Sequence, residues 1–198
     1  RLTGHGRRML ELPVHPRLAH MLLTAPPGPR QALACELAAL LEERPPAGAG
    51  EDIGRLLAAL GGAQAESADR AWRHAVRREV RRLRSVLGAG DPSGGDPAPL
   101  LALAYPERLG RRIARDRQAT YQLASGRRAV LPGEATLAAQ PWLAIAAATG
   151  GEREAPDRIR LAAPLDPAAF DAELATLVTE REVVRWDPSQ ERAVARRE

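Results

Sequence analysis

The sequence predicts an α+β protein of two domains, an α-helical bundle followed by a small β-barrel. Up to about residue 90, apolar residues recur every three or four positions, which is the spacing of one helix face. Beyond about residue 118, short runs alternate apolar and polar residues, as strands do. Between the two parts, residues 88–99 are rich in Gly, Pro and Asp, a composition typical of a linker.

Five helices are predicted, and most have a sequence signal at one end. The segment Pro26-Pro27-Gly28-Pro29 ends the first helix. Acidic residues in the first turn of the third helix favour its dipole, and Ser67 is placed to cap the fourth. We expect the fifth to be interrupted near Pro106. The predicted helices cover residues 16–25, 30–44, 51–60, 67–87 and 100–115.

Six short strands are predicted in the second part, separated by turn residues such as Gly126 and Pro132-Gly133. One helix over residues 167–176, capped by Asp166, is expected between the fourth and fifth strands. Five or six strands in about eighty residues, with one inserted helix, are typical of a small barrel of the OB type. The predicted strands cover residues 119–124, 128–131, 141–148, 158–163, 182–186 and 193–197.

The basic residues restrict the chemistry that this chain can perform. All 29 are arginine, and the chain contains no Lys and no Asn. Because Arg, Ala, Gly and Pro share GC-rich codons, part of the arginine surplus reflects genome composition, and the net charge of +4 supports a nucleic-acid partner only weakly. A phosphate-binding P-loop and a Schiff-base enzyme both need a lysine. We therefore expect no enzymatic activity from this chain alone.

The sequence also predicts whether the chain binds metal, where its cysteine lies and in which compartment the protein is found. The four histidines have no Cys or carboxylate at metal-ligand spacing, so no metal site is expected. The single cysteine, Cys35, lies in an apolar run typical of a buried thiol. No apolar run is long enough for a membrane span and no signal peptide is visible, which predicts a cytoplasmic protein without a membrane partner. Because the chain begins at Arg1 without an initiator Met, we expect it to be a piece of a longer protein.

A series of segments carries a resemblance to one family. They are residues 2–9 (LTGHGRRM), 12–22 (LPVHPRLAHML), 101–108 (LALAYPER), 121–127 (YQLASGR), 141–143 (PWL), 158–166 (RIRLAAPLD) and 182–187 (EVVRWD). In this order they resemble the region that follows the motor domains in HrpB-type ATP-dependent helicases of the DEAH group. The resemblance covers nearly the whole chain, while residues 60–98 contribute composition more than motif.

The resemblance implies a domain organisation and a set of partners. Residues 1–12 would end a winged-helix domain, residues 13–98 would form a ratchet-type helical domain, and residues 99–198 an OB-fold-like domain. The parent protein would couple ATP hydrolysis to movement along single-stranded nucleic acid, with RNA expected. ATP and Mg²⁺ would bind the upstream motor domains, so neither a cofactor nor a catalytic residue is expected in this chain.

Two arginine clusters are the candidate nucleic-acid sites. Arginines at three- and four-residue spacing share one face of the fourth helix, where they would contact successive phosphates. A second cluster accompanies Tyr121, which we consider as a residue that stacks on a base. The candidates are Arg70, Arg73, Arg77, Arg81 and Arg84 in the first cluster, and Arg111, Arg112, Arg115, Arg127 and Arg128 in the second.

Each candidate also has a structural interpretation. The helix arginines would equally form a solvated face that pairs with Glu66, Asp69 and Glu79. Tyr121 would equally be a core residue, and Trp142 and Trp186 are expected in the core. The alternative function is a protein-interaction or regulatory module that docks onto the motor domains or an activator. A scaffold with no ligand of its own is a third interpretation.

Overall fold

The computed structural model describes residues 2–43, 45–46, 48–61, 67–91, 94–150, 155–179, 182–187 and 192–197. It divides into two compact units, Arg1–Asp166 and Pro167–Glu198. The first unit contains the helices and a closed barrel, and the second contains two short 3₁₀ segments and a two-stranded sheet. This is the α+β class that the sequence predicts. The domain boundaries predicted after residues 12 and 98 stay predictions.

Six α-helices precede the barrel in the described part of the chain. The four predicted helices between residues 16 and 87 are confirmed to within about two residues at each end. A short helix at the start was not predicted; Thr3 caps it by accepting a hydrogen bond from the Gly6 amide at 3.1 Å. The helices are α1 Gly4–Leu10, α2 Pro16–Thr24, α3 Pro29–Glu42, α4 Ile53–Gly61, α5 Ser67–Leu87 and α6 Ala98–Ala104.

The N-terminus of α4 is capped from outside the helix. Asp52 precedes the helix, and its Oδ1 accepts a hydrogen bond from the Gly54 amide at 2.8 Å. Glu51 and Asp52, the acidic residues expected in the first turn of α4, therefore precede that turn. The predicted cap of α5, Ser67, has a side chain outside the described part of the structure. Helix α3 is buried along most of its length and packs against α2, α4 and α5, so it forms the centre of the bundle.

The barrel has five strands that close in the order β1-β2-β3-β5-β4. All neighbouring pairs are antiparallel except β3 with β5, and β1 closes the barrel against β4. A 3₁₀ turn, Thr136–Ala139, connects β3 to β4. Together with the strand order, this is the topology of an OB fold, as predicted. The strands are β1 Leu109–Arg115, β2 Gln118–Leu123, β3 Arg128–Pro132, β4 Trp142–Thr149 and β5 Asp157–Pro164.

The first strand corrects the prediction of a helix over residues 100–115. Helix α6 ends before Pro106, and residues 109–115 pair with both β2 and β4. At Gly110 an added Cβ would lie 3.2 Å from the Leu123 side chain and 3.3 Å from the Ile145 side chain, so a larger residue would require these neighbours to shift by a few tenths of an ångström. Pairing with the adjacent strand β2 and with the more distant strand β4 overrides the helical propensity of this segment.

The second unit corrects two further expectations. The helix predicted over residues 167–176 is replaced by two 3₁₀ segments, Pro167–Asp171 and Ala175–Leu177. A helix of ten residues is marginal unless it buries a face, and this segment is mostly exposed. The last two predicted strands exist, as β6 Glu182–Asp187 and β7 Arg192–Arg197, but they form their own antiparallel sheet and are not strands of the barrel.

Candidate nucleic-acid interface

Two arginines of the α5 cluster serve the fold. Arg73 is 7% exposed, and its Nη1 donates a hydrogen bond to the Ala59 carbonyl at 3.3 Å. One turn later, Arg77 donates from Nε to the Leu60 carbonyl at 2.9 Å, and from Nη2 to the same oxygen. These carbonyls belong to the last turn of α4, where no helix amide is available to them. Arg73 and Arg77 therefore fix the end of α4 and are not free phosphate ligands.

The other members of the α5 cluster differ in their surroundings. Arg84 is partly buried and pairs with Asp91. Arg70 and Arg81 are exposed and have no ionic partner among the residues that the structure describes. Of the acids that sequence analysis offered as partners, Glu79 accepts a hydrogen bond from Arg82 Nε at 2.8 Å, while Glu66 and the Asp69 side chain lie outside the described part. The predicted five-arginine face is thus reduced to Arg70 and Arg81.

A cleft of about 370 Å³ lies beside α5, and two of the three arginines that line it already have partners within the chain. Three arginines of the cluster line it, but Arg77 and Arg84 are engaged as described above. Glu36 lines it as well, and burial raises the pKa of this carboxyl while Arg84 opposes the rise. The lining is Glu36, Leu57, Leu60, Gly61, Arg77, Val80, Arg81 and Arg84.

Tyr121 is a core residue, which corrects its assignment as a stacking residue. Its side chain is fully buried inside the barrel. The hydroxyl lies 2.9 Å from the Leu137 carbonyl and 3.0 Å from the Gln140 carbonyl, and it donates its proton to one of them at a time. Burial raises the pKa of the phenol. No face of the ring is open to a base.

Arg112 is also used by the fold. It lies on the row of β1 that pairs with Tyr121, and its Nη1 donates to the Ala138 carbonyl at 3.1 Å and to the Ala139 carbonyl. These acceptors lie in the 3₁₀ turn between β3 and β4. Arg112 therefore ties the first strand to that turn and is removed from the set of available cations.

The remaining barrel arginines lie on its outer face. In register, Arg111 of β1 pairs with Gln122 of β2, which pairs with Arg128 of β3. Arg111 and Arg128 are exposed and, within the described residues, have no acidic partner. Arg115 is likewise exposed, where β1 ends and turns into β2. Because strands of a sheet lie about 4.8 Å apart, Arg111 and Arg128 flank β2 from both sides.

The neighbouring set of paired residues on the same face of the barrel includes an arginine that sequence analysis missed. Thr120 of β2 pairs with Val130 of β3, and Val130 pairs with Arg158 of the parallel strand β5. Arg158 is exposed, and the part of the chain that the structure describes offers it no acidic partner. The alternation Asp157-Arg158-Ile159-Arg160 was the available signal, but only the β3–β5 pairing brings Arg158 to the other arginines.

A groove runs along the outer surface of β2 and β3. It encloses about 450 Å³, within the range typical of ligand clefts. Arg127, in the turn between the two strands, is held at its edge by an ion pair with Asp157. Arg127 and Arg128 are thus the predicted site residues of the barrel that line this groove together. The lining is Gln118, Thr120, Gly126, Arg127, Arg128, Val130, Ala155 and Pro156.

Comparison with known proteins identifies relatives over the whole chain. The ATP-dependent RNA helicase HrpB of Escherichia coli is 33% identical over 190 residues, which are 96% of this chain and 22% of that protein. A crystal structure of the E. coli DExH-box NTPase HrpB matches with a TM-score of 0.81 and 30% identity. A structure of the E. coli DEAH/RHA helicase HrpB matches with a TM-score of 0.79 and 28% identity. This chain is related to the HrpB-type helicases.

The relationship covers an accessory part of the HrpB proteins. Each structural match includes 100% of this chain and 23% of the solved chain, so the chain spans less than a quarter of its relatives' length. The matched part is the C-terminal region of HrpB, as the resemblance predicted. No protein-family profile matches the chain.

The structure also tests several expectations about individual residues outside the candidate interface. Trp142 is half-buried, but Trp186 on β6 is 65% exposed, which corrects its expected core position. The buried thiol of Cys35 is as predicted, and burial raises its pKa to about 11. Within the described ranges, no group of three or more potential metal ligands occurs. No helix in those ranges is long and apolar enough to cross a bilayer.

Proposed function

We propose that this chain forms one wall of the single-stranded nucleic-acid channel of an ATP-dependent RNA helicase. In this role it supports translocation and unwinding by upstream motor domains. The observation that carries the proposal is the outer face of the barrel. Arg128 lines a groove there, Arg111 and Arg158 lie on the strands next to β2 and β3, and the described part of the chain offers these three arginines no acidic partner.

The position of this face supports a nucleic-acid ligand. OB folds bind oligonucleotides on the surface of their second and third strands and on adjacent loops. Here the groove lies on β2 and β3, and Arg115 is exposed next to the β1–β2 turn. Unpaired guanidinium groups are suited to phosphate oxygens because they offer several donors in a fixed plane. Arg70 and Arg81 of α5 are the second, smaller set of candidate phosphate ligands.

The motor chemistry belongs to the rest of the longer protein under this proposal. The chain has no lysine for a P-loop, so ATP and Mg²⁺ would bind the upstream motor domains. Closure of those domains on ATP would move them against the helical bundle, and the strand held by the bundle and barrel would advance. A cytoplasmic location is part of the same proposal. The chain alone should neither hydrolyse ATP nor unwind a duplex.

Fluorescence anisotropy with a labelled single-stranded RNA, across a salt series, tests the proposal. The decisive variant changes Arg111, Arg128 and Arg158 together to Gln. Each phosphate contact on a single strand contributes about 0.7 to the slope of log affinity against log salt. We therefore expect the triple change to weaken binding at least tenfold at low salt and to reduce the slope by about 2.

A control variant of equal charge separates contact from overall electrostatics. It changes three exposed arginines of α1 and α4 to Gln: Arg7, Arg8 and Arg55. An equal loss in both variants would show that only net charge matters and would contradict a defined interface. Absence of RNA binding by the folded chain at low salt would also contradict it. A further variant with Arg70 and Arg81 changed to Gln measures the share of α5.

Docking onto the motor domains is the second candidate function, and one observation favours it. Helix α1 buries no side chain, its last residue Leu10 is 74% exposed, and Leu2, which precedes the helix, is 52% exposed. Apolar side chains in such a position are typical of a surface that another domain covers. Binding of the chain to separately produced motor domains, weakened by Leu10→Gln, would support this function. Docking onto the motor domains would be compatible with the proposed role in the nucleic-acid channel.

A further inference from the structure

Two uncharged polar side chains occupy the floor of the groove on β2. Thr120 lies in the middle of the strand, paired with Val130, and Gln118 lies two residues earlier on the same face. Both line the groove, and neither side chain has a hydrogen-bond partner among the residues that the structure describes. Their hydroxyl and amide groups are therefore available to a ligand.

The composition of the groove limits which part of a nucleic acid it can hold. The lining contains Val130, Ala155 and Pro156 as apolar residues and no aromatic residue within the described ranges. Base stacking, the usual means of holding single strands on OB folds, therefore has no platform in this groove. Arg128 at the edge is suited to phosphate instead. The arrangement fits the sugar–phosphate backbone better than the bases.

The polar side chains on the floor of the groove can distinguish an RNA backbone from a DNA backbone. A ribose 2′-hydroxyl both donates and accepts hydrogen bonds, and so do the Thr hydroxyl and the Gln amide. Deoxyribose has only carbon-bound hydrogens at that position. With a phosphate on Arg128, a sugar along β2 would face Thr120, two residues from the Gln122–Arg128 pair on the same face.

We infer that Thr120, with Gln118, contacts the ribose 2′-hydroxyl and makes the groove selective for RNA over DNA. The inference rests on the proposed function, because it names the substrate class of the same groove. It assigns the arginines to affinity and the polar floor to the choice of sugar. Selectivity by the sugar needs no base sequence, which suits a protein that moves along a strand.

The test compares oligouridine with oligodeoxyuridine of equal length, because the two probes differ only at the 2′ position. Fluorescence anisotropy gives the RNA-to-DNA affinity ratio for the full chain and for Thr120→Val, which keeps the shape and strand preference of threonine. We expect the unaltered chain to prefer RNA at least fivefold. Thr120→Val should lower that ratio to near one and leave the DNA affinity within twofold. Gln118→Met should lower the ratio in part.

Two further variants make the result specific. Thr120→Ser keeps the hydroxyl and should keep most of the RNA preference, while Thr24→Val, at an exposed position in α2, should change nothing. Circular dichroism melting confirms that each variant is folded. An RNA preference that survives Thr120→Val with an unchanged ratio would overturn the inference.

The inference and the proposed function fail in different ways. Salt-dependent binding of RNA and DNA with equal affinity would overturn the inference and leave the proposed function standing. Binding of neither probe would overturn both. Loss of RNA and DNA affinity to the same extent in Thr120→Val would show a general effect on the strand, and it would also overturn the assignment of Thr120.

Discussion

The guanidinium of Arg127 contacts the carboxylate of Asp157 at two points, with Nε 2.9 Å from Oδ2 and Nη2 2.6 Å from Oδ1. Arg127 lies in the turn between β2 and β3, and Asp157 is the first residue of β5. The pair therefore joins the edge of the groove to the strand that carries Arg158. The Asp157 side chain is 12% exposed and that of Arg127 is 43% exposed, so solvent screens the pair only in part.

Asp157→Asn is expected to have opposite effects on stability and binding. It removes the negative charge that holds Arg127, so the melting temperature should fall by several degrees. It also frees Arg127 at the edge of the groove, so RNA affinity at low salt should rise. Thermal melting and anisotropy measure the two effects. Glu11→Gln, which removes an exposed acid from the helical part, is the control, and equal results for both variants would contradict the role of the ion pair.

Tyr121→Phe is expected to reduce stability without changing RNA binding. The substitution removes the hydroxyl that donates to the Leu137 carbonyl or to the Gln140 carbonyl, and it should cost about 1–2 kcal/mol. Tyr105→Phe is the matched control: the Tyr105 ring contacts Arg108, with the guanidinium carbon 4.7 Å from the ring centroid, and phenylalanine keeps that contact. Urea denaturation of both variants measures the difference. Weaker RNA binding by stable Tyr121→Phe protein would contradict a purely structural role.

Much of the fold was predictable from local patterns. Helices α2 to α5 and strands β2 to β5 bury residues at regular spacing, and turns such as Pro26-Pro27-Gly28-Pro29 mark their ends. Strand β1 was missed because it also pairs with β4, a strand that is distant in sequence and closes the barrel. Local propensity contains no information about such pairing.

The site was less predictable than the fold, because spacing does not show what surrounds a charge. Arg73 and Arg77 have the same spacing as free phosphate ligands, yet each reaches a carbonyl at the end of α4. Arg111 and Arg128 are far apart in sequence and lie on one row of the sheet with Gln122. Only tertiary contacts therefore distinguish the arginines that serve the fold from those that remain exposed.

Gly133→Ala is expected to destabilise the barrel. An added Cβ would lie 2.9 Å from the Arg117 carbonyl oxygen and 3.0 Å from the Asp116 carbonyl oxygen. Because both are backbone atoms, the β1–β2 turn must shift, at a cost of about 1–3 kcal/mol. Gly90→Ala, which meets no atom within 4 Å, is the control and should be nearly neutral. Chemical denaturation measures both, and equal stabilities would refute the close contact.

Arg77→Gln is expected to loosen the C-terminal turn of α4. The Leu60 carbonyl loses its guanidinium donors, and the turn loses a positive charge at the negative end of the helix dipole. We expect about 1 kcal/mol of lost stability and faster amide hydrogen exchange in the last turn of α4. Arg78→Gln changes an exposed neighbour on the same helix and should leave exchange in α4 unchanged. A similar increase in both variants would mean that Arg77 has no specific role there.

The free energy of unfolding is expected to fall as the pH falls below the ordinary pKa of histidine, about 6.5. His5 Nε2 lies 2.9 Å from His20 Nδ1, which requires one ring nitrogen to accept, and this contact joins α1 to α2. Burial, and then the charge of His5, lower the pKa of His20. The unfolded chain therefore takes up a proton near about pH 6.5, before the folded chain does, so protonation favours unfolding below that pH.

Urea denaturation at about pH 7.5 and about pH 5.5 measures this effect. The free energy of unfolding should be lower at the acidic pH, and His20→Gln should remove part of that loss because the partly buried imidazole is gone. His74→Gln, at an exposed position on α5, should keep the full loss. An NMR titration of the His20 ring provides a direct check, since its midpoint should lie below that of a histidine in an unfolded peptide. A pH dependence that His20→Gln leaves intact would place its origin in the carboxylates and not in the contact between α1 and α2.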